Sequence, residues 1–268
     1  ITIYKLMQKY KIPKILIIAG SDSSGGAGIQ ADIKSVTYFK GYAMTVITAV
    51  TSQNTKGVQA ILPLPIDHVD SQINSVLDDL KPDVIKTGML ADKSLIKMIA
   101  NKVQDYKLIM DPVMVATSGD ILVAEDCISV IKECLLPKSF LITPNLYEAE
   151  LLSNIKITNV DDQIKAAFKI LELGARNVLV KGGHSSSDLI TDVLIQENKK
   201  VNCFESKKLN SKNTHGTGCS LASSIACLIG HDNDLNKSVQ KAINYVQKGI
   251  SAAPNFGSGN GPILHFDV

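Results

Sequence analysis

The chain has 268 residues, a hydrophobic fraction of 45% and a charged fraction of 20%, values typical of a globular protein with a sizeable core. Its 28 Lys and Arg residues against 26 Asp and Glu residues leave a net charge of +2, which excludes the strong positive field of a nucleic-acid-binding protein. No apolar run approaches the roughly 18 residues of a membrane span, and five scattered cysteines exclude a disulfide scaffold and indicate a reducing, cytoplasmic setting.

Short apolar runs alternate with helical spacing from residue 14 onward. The expected strands cover 14–19, 44–50, 83–87, 107–110, 139–142 and 177–181, and 189–196 with 200–205 reads as a hairpin. Helices are predicted to begin at Gly28 and to cover 67–80, 92–104, 124–135, 145–152, 161–173, 216–229 and 233–252. This alternation predicts a single α/β domain over 14–268, with a mostly parallel sheet covered on both faces, after a tail of residues 1–13.

Ligands of such sheets bind where the strands end, and the first strand ends in a loop rich in glycine and serine at 20–28. Gly26 and Gly28 formally match the dinucleotide-binding fingerprint. The fingerprint also requires a carboxylate at the end of the next strand, where this chain has Thr51, Ser52, Gln53 and Asn54. A nicotinamide-dependent oxidoreductase is therefore a weak alternative, and the absence of a G-x-x-x-x-G-K-[ST] motif excludes a P-loop.

The segment that begins at Asn213 and ends at Ser220 carries the strongest local signal. Gly216, Thr217 and Gly218 open a helix, where exposed backbone N–H groups and the helix dipole favour an anion. Such a nest can hold the charge of a transferred phosphoryl group. Cys219 is placed in the first turn, where the dipole is expected to lower the pKa of its thiol. The alternative is a glycine turn followed by a small buried hydrophobe.

Two polar residues are candidates for contacts with a ligand. Asp32 shares a helical face with apolar neighbours, so it is either a buried structural acceptor or a ligand contact. Gln53 follows a central strand, and its amide offers both a donor and an acceptor, as the edge of an aminopyrimidine requires. The alternative for Gln53 is a solvated loop residue.

Charged residues at three further strand ends suit a phosphate or a metal. Asn145 and Glu148 are spaced for Mg²⁺ and its water shell, but the same spacing is that of an N-terminal capping box, which spacing alone favours. Lys181 either reaches a nucleotide phosphate or faces solvent, and Asp111 either assists the metal or simply ends its strand.

Taken together, these segments resemble the hydroxymethylpyrimidine/phosphomethylpyrimidine kinases of thiamine biosynthesis, in the ribokinase-like superfamily. The resemblance covers about 14–266 and rests on seven segments in order: AGSDSSGGAGIQAD, ITAVTSQNT, KTGML, DPVM, LITPNLYEAELL, VLVKGGH and NTHGTGCSLASSIA. It implies a three-layer α/β/α sandwich with a central mostly parallel sheet of about eight strands, a cytoplasmic enzyme and a homodimer. The implied reaction phosphorylates 4-amino-5-hydroxymethyl-2-methylpyrimidine with MgATP, and then the monophosphate to the diphosphate.

The resemblance also assigns roles to individual residues. It places the substrate against Gly20, Ala27, Asp32, Gln53, Met89 and Val115. It places ATP at Lys181, Thr214 and His215, the catalytic nest and base at Gly216, Thr217, Gly218 and Cys219, and Mg²⁺ near Asn145, Glu148 and Asp111. A mobile cover is expected at 112–120 from its small and polar residues.

Other members of the superfamily supply the main alternative. Many ribokinase-like sugar kinases carry Asp where this chain has Cys219, whereas the vitamin-kinase branch carries Cys. Within that branch, a pyridoxal kinase or an enzyme acting on both vitamins is the closest alternative. The run Ser52, Gln53, Asn54 and Thr55 favours the pyrimidine. A vitamin-binding sensor without turnover is disfavoured by the intact Gly216–Cys219 segment.

Overall fold

The computed structural model describes residues 11–90, 92–114, 125–183 and 188–268. Within them lies one nine-stranded sheet of order β3-β2-β1-β4-β5-β6-β7-β8-β9. Its strands are β1 (Lys14–Asp22), β2 (Tyr42–Asn54), β3 (Gly57–Pro63), β4 (Val84–Thr87), β5 (Lys107–Met110), β6 (Ser139–Ile142), β7 (Val178–Val180), β8 (Leu189–Ile195) and β9 (Val201–Lys207).

Six neighbouring strands, β2, β1, β4, β5, β6 and β7, run parallel, while β3 and β8 pair antiparallel to them at the two sides. The carboxyl ends of the six strands therefore meet at one edge of the sheet. The helices are α1 (Gly28–Tyr38), α2 (Ile66–Asp79), α3 (Lys93–Lys102), α4 (Glu125–Val130), α5 (Leu146–Ser153), α6 (Val160–Glu172), α7 (Thr217–Gly230) and α8 (Leu235–Ser251).

Alternate residues of β1 face two separate cores, which makes the three layers. Ile15 and Ile17 pack with α1, α7 and α8, whereas Leu16 and Ile18 pack with the helices of the opposite face, α2 to α6. All four side chains are fully buried, as expected for a strand covered on both faces. In the part of the chain that the structure describes, no helix combines the length and the apolar character needed to cross a membrane.

The structure adds two features to the predicted elements. Strand β3 is absent from the prediction because most of its residues are exposed, so it carries no run of buried apolar side chains. The helix predicted over 124–135 is observed as α4 followed by a wider turn at Ile131–Leu135 and a tighter one at Leu136–Lys138.

Candidate active site

A cavity of about 850 Å³ opens at the carboxyl ends of the parallel strands. It collects almost all of the residues that the sequence singled out. The predicted residues that line it are Gly20, Ala27, Gln53, Met89, Asp111, Asn145, Glu148, Lys181, Thr214, His215, Gly216, Thr217, Gly218 and Cys219. Asp32 is not among them. Val115 and most of the expected cover at 112–120 lie outside the described residues.

The nest forms at the start of α7. Gly216 has a φ of +80°, and a Cβ there would lie 1.8 Å from the carbonyl oxygen of Gly26, so only glycine fits. The N–H groups of Gly218 and Cys219 lie in the first turn of the helix, where an α-helix offers no acceptor of its own. These donors and the positive end of the helix dipole form a site for an anionic group beside the cavity.

A charged pair stands next to the nest. Lys181 Nζ lies 2.9 Å from Asp111 Oδ1, and the Thr143 hydroxyl donates to the same oxygen at 3.0 Å. A Cβ on Gly218 would be 3.2 Å from Lys181 Nζ and 3.6 Å from Asp111 Oδ2. Burial lowers the pKa of Lys181, but Asp111 and Glu148 outweigh it and raise the pKa above its usual value. The ammonium therefore stays charged beside the nest.

Asn145 and Glu148 form the capping box that their spacing allowed. The Asn145 side chain accepts the Glu148 N–H at 2.9 Å, and Glu148 Oε2 accepts the Asn145 N–H at 2.8 Å. Glu148 Oε1 accepts the Met114 N–H at 3.3 Å. Among the described residues, no three His, Cys, Asp or Glu side chains are grouped to hold a metal ion. The Asn145 side-chain oxygen serves as the helix cap, and the expectation that Asn145 and Glu148 lie near a hydrated Mg²⁺ stays a prediction.

The carboxyl group of Glu148 has a raised pKa. Its carboxyl group is 3% exposed, and burial raises its pKa to about 7, with Asp111 adding to the rise and Lys181 opposing it. A carboxylate that is poorly stabilised as an anion, inside a cavity, is typical of a site that receives a cation or a proton.

Asp22 joins the first loop to the nest. Its carboxylate accepts the N–H groups of Ser24, Gly26 and Ala27 at 2.8–3.1 Å, and its Oδ2 lies 2.8 Å from His215 Nε2. Burial alone would raise the pKa of Asp22, but the hydrogen bonds from His215, Ser24 and Ala27 hold it well below its usual range. This role of Asp22 was not predicted from the sequence, although an Asp followed by Ser and Gly is typical of a turn closed by its side chain.

His215 lines the cavity, but its ring is engaged on the side of the first loop. Besides Asp22, its Nε2 lies 3.4 Å from the amide nitrogen of Gln53, and a Cβ on Gly26 would meet its Cδ2 at 2.3 Å. The ring thus packs over the first loop. Its predicted contact with ATP stays a prediction, since this ring nitrogen already has a carboxylate partner.

Gln53 and Met89 form a wall beside the first loop. The Thr51 hydroxyl lies 3.1 Å from Gln53 Oε1 and 3.0 Å from the Ser21 carbonyl oxygen, and its single proton is shared between these two acceptors. The Ser23 hydroxyl accepts the Gln53 N–H at 2.8 Å and donates to the Gln53 carbonyl oxygen at 2.9 Å. A Cβ on Gly20 would lie 2.8 Å from Met89 Cε, so the loop backbone approaches the Met89 side chain closely. The wall combines one oriented amide with apolar surface, which suits a small heteroaromatic ring.

Asp32 is a structural acceptor, and its predicted contact with the substrate is wrong. Its side chain is fully buried, and Lys86 Nζ lies 2.9 Å from both carboxylate oxygens. The Ser223 hydroxyl donates to Oδ1 at 2.6 Å. The apolar neighbours that Asp32 shares on its helical face pack it into the protein, and the sequence offered no sign that Lys86 would meet it there.

Cys219 lies at the cavity in the first turn of α7, but the predicted lowering of its thiol pKa is wrong. Burial raises the pKa of Cys219 to about 12, and the positive charge of Lys86 offsets only part of that rise. The thiol of the resting protein is therefore neutral.

Several residues that line the cavity were not predicted from the sequence. Ile190, Leu209, Ile243, Val246 and Ile250 line it together with Gln247 and Asp192. Asp192 is buried and accepts the Gly182 N–H at 2.7 Å, and burial raises its pKa to about 6. Four of these residues, Ile243, Val246, Gln247 and Ile250, lie on α8.

A family model and a curated relative both match this chain, and both carry the name of the same kinase family. A family model described as phosphomethylpyrimidine kinase matches residues 22–264. The hydroxymethylpyrimidine/phosphomethylpyrimidine kinase of Bacillus subtilis (strain 168) is 41% identical over 259 residues, which cover 95% of each chain.

Two solved structures share the fold. The ADP complex of Bacillus subtilis pyridoxal kinase superposes with a TM-score of 0.88 at 31% identity, covering 95% of this chain and 98% of that one. The phosphomethylpyrimidine kinase from Clostridium difficile 630 gives a TM-score of 0.79 at 37% identity, covering 90% of this chain and all of that one.

Proposed function

Because the chain belongs to the phosphomethylpyrimidine kinase family, we propose that it phosphorylates 4-amino-5-hydroxymethyl-2-methylpyrimidine with ATP. We propose that the monophosphate is then phosphorylated to the diphosphate in the same cavity. The observation that carries the proposal is the meeting of two unlike surfaces in one cavity of about 850 Å³. An oriented amide and apolar surface lie at Gln53 and Met89, and an anion nest lies at Gly216–Gly218 beside the Lys181–Asp111 pair.

The pyrimidine would lie between Met89 and the first loop, with its ring edge on the Gln53 amide. The Ser23 hydroxyl fixes the Gln53 backbone, and the amide itself is placed by Thr51 beside its oxygen and by His215, 3.4 Å from its nitrogen, before the substrate arrives. Such preorientation favours phosphoryl transfer, which depends on positioning more than on a strong base.

ATP would present its γ-phosphate to the nest of Gly216–Gly218. The hydroxymethyl oxygen forms a bond to the γ-phosphorus while the bond from that phosphorus to the β-phosphate oxygen breaks, and ADP leaves. The N–H groups of the nest and the Lys181 ammonium stabilise the charge of the transferred group. Late in the transfer the hydroxyl proton passes to the Cys219 thiolate and regenerates the neutral thiol. The thiolate forms beforehand, when the neutral thiol of the resting protein gives its proton to solvent.

Mg²⁺ suits the part of this site near Asp111 and Glu148. The carboxyl groups of Asp111 and Glu148 face the cavity, and a cation would favour the anionic form of Glu148, whose pKa is about 7. Both Glu148 oxygens already accept backbone N–H groups, so these carboxylates would hold Mg²⁺ through its water shell. When bound with ATP, Mg²⁺ supplies neutralisation of the phosphate charge.

We also propose a cytoplasmic homodimer. Support for the dimer comes from the edge strand β3, where Leu62 and its cross-strand partner Val50 on β2 are 66% and 42% exposed. Exposed apolar edge strands are usually covered or blocked. Light scattering on the purified chain tests the dimer, with Leu62→Lys as the variant expected to release monomers; a monomeric wild-type chain would refute it.

The function is tested by ADP release with MgATP and three acceptors: the hydroxymethylpyrimidine, its monophosphate and pyridoxal. Turnover on both pyrimidines and little on pyridoxal is expected. Turnover mainly on pyridoxal would favour the alternative that the shared fold with pyridoxal kinase keeps open. A mock purification from cells that do not produce the chain serves as the control, because activity found in it would come from a contaminating kinase.

A further inference from the structure

A buried ion pair lies beneath the candidate active site. Lys86 is the third residue of β4 and Asp32 lies in α1; both side chains are 0% exposed. Burying an ammonium and a carboxylate costs several kcal/mol for each ion before pairing, and a well-packed apolar pair of similar volume would often be equally stable. Stability alone therefore does not explain why the two charges stand here.

The ammonium approaches the cavity through a glycine. Gly88 lines the cavity two residues after Lys86, and a Cβ added to Gly88 would lie 3.2 Å from Lys86 Nζ. Because residue 88 is glycine, it places no side chain between the Lys86 ammonium and the part of the cavity that Gly20 and Met89 line. This part, where the pyrimidine would bind, is called the acceptor end below. A positive charge so close to a partly closed cavity is weakly screened by solvent.

The pair also lies one helical turn from Cys219. Ser223, which donates to Asp32, follows Cys219 by four residues on α7 and so shares its helical face. Asp32 follows Gly28 by four residues on α1, and the Gly28 N–H donates to the Cys219 sulfur. The two helices therefore meet first at Cys219 and again, one turn further on, at the ion pair.

The ion pair presents its positive member, Lys86, toward Cys219. Lys86 lowers the pKa of Cys219 more than Asp32 raises it, as expected if the ammonium is the nearer of the two charges. Asp111 and Cys219 in turn help Asp32 to raise the pKa of Lys86 against the effect of burial, so the ammonium stays charged.

We propose that Lys86 is a positioning residue for phosphoryl transfer: held by Asp32, its buried ammonium supplies positive potential at Cys219 and at the acceptor end of the cavity. It acts through Cys219, favouring the anionic form that receives the hydroxyl proton, and it touches neither substrate. The inference rests on the proposed function.

The test is the double variant Lys86→Met with Asp32→Asn, which removes both charges and nearly preserves the side-chain volumes. We expect kcat to fall at least tenfold while KM for the pyrimidine and for ATP stays within threefold, because the charge acts in the transfer and not in binding. Alkylation of Cys219 by neutral iodoacetamide at pH 9, followed by peptide mass spectrometry, should slow at least threefold. Ser35→Ala, which removes a buried hydroxyl one turn further along α1, is the matched control and should change neither quantity.

A folded double variant with kcat within threefold of the wild type would overturn the proposal, and so would a loss that appears only in KM. If the double variant does not fold, Lys86→Gln replaces it, since its amide N–H groups still donate to Asp32 without a permanent charge; the same criteria apply. A wild-type chain without turnover on either pyrimidine would refute the proposed function instead, and the alkylation comparison would still test the charge.

Discussion

Replacement of Cys219 by Asp tests how the hydroxymethyl group of the pyrimidine loses its proton. Burial raises the pKa of Cys219 to about 12, so at pH 8 roughly one thiol in 10⁴ is ionised, which corresponds to about 5 kcal/mol. If the Cys219 thiolate accepts this proton, the protein is active only with Cys219 deprotonated. The kcat then rises with pH until the pH reaches the pKa of Cys219. A carboxyl group at position 219, even with a pKa raised by roughly three units, would be ionised above pH 7.

The assay is kcat for the pyrimidine at saturating MgATP between pH 7.5 and 9.5, for the wild type and Cys219→Asp. The ratio of the wild-type kcat to that of the variant should rise about tenfold for each pH unit. Glu148 and Asp192, whose pKa values are about 7 and 6, titrate in both proteins and largely cancel in the ratio. Cys219→Ala should lose at least roughly 10²-fold at pH 8. A ratio that stays flat with pH would refute the reasoning and move the proton to another group, of which Asp111 is the nearest to the nest.

Three further predictions concern the rest of the cavity. Gln53→Met should raise KM for the pyrimidine at least tenfold and leave KM for ATP within twofold; an unchanged pyrimidine KM in steady-state assays would remove Gln53 from the site. Lys181→Met should lower kcat at least roughly 10²-fold, measured below its own Tm because it leaves Asp111 buried without its cation, and a smaller loss would argue against Lys181 at the phosphate. The folded Glu148 carboxyl holds its proton up to about pH 7 and the unfolded one only to about 4.5, so wild-type stability should fall by up to about 3 kcal/mol as pH rises through that window. Glu148→Gln should lack this fall, and Tm curves of the two proteins that stay parallel from pH 4 to 8 would contradict it.

The fold was largely readable because the parallel strands are buried on both faces. Short, continuous apolar runs such as the one in β1, alternating with helices, are compatible with few folds other than a sheet covered on both faces. The prediction of an α/β sandwich with a mostly parallel sheet is confirmed. Strand β3 was not readable, because an exposed edge strand has no buried face to impose a pattern. The family was identified from seven short segments in order, and that prediction is also confirmed.

The position of the candidate site at the strand ends could be predicted from the sequence, but its ion pairs and pKa shifts could not. Parallel strands bring their carboxyl ends together, so residues at those ends meet whatever their separation in the chain. The partner of Asp32 was not readable, because the ion pair joins α1 to β4 and no local pattern links the two. The pKa of Cys219 was misjudged because a dipole effect can be inferred from the start of a helix, whereas the opposing effect of burial depends on the packing of α1 and α7.

The first loop and the nest are linked through the hydrogen bond between Asp22 and His215. Asp22 closes the loop that forms the acceptor wall, and His215 immediately precedes the glycine that opens the nest. Because Gly216 also packs directly on the backbone of Gly26, neither loop can shift far without moving the other. A phosphoryl transfer needs the acceptor oxygen and the γ-phosphate in register to within a fraction of an ångström. For the proposed transfer, the buried Asp22 carboxylate would hold the first loop at a fixed distance from the nest, because it binds the backbone of that loop and the His215 ring at the same time.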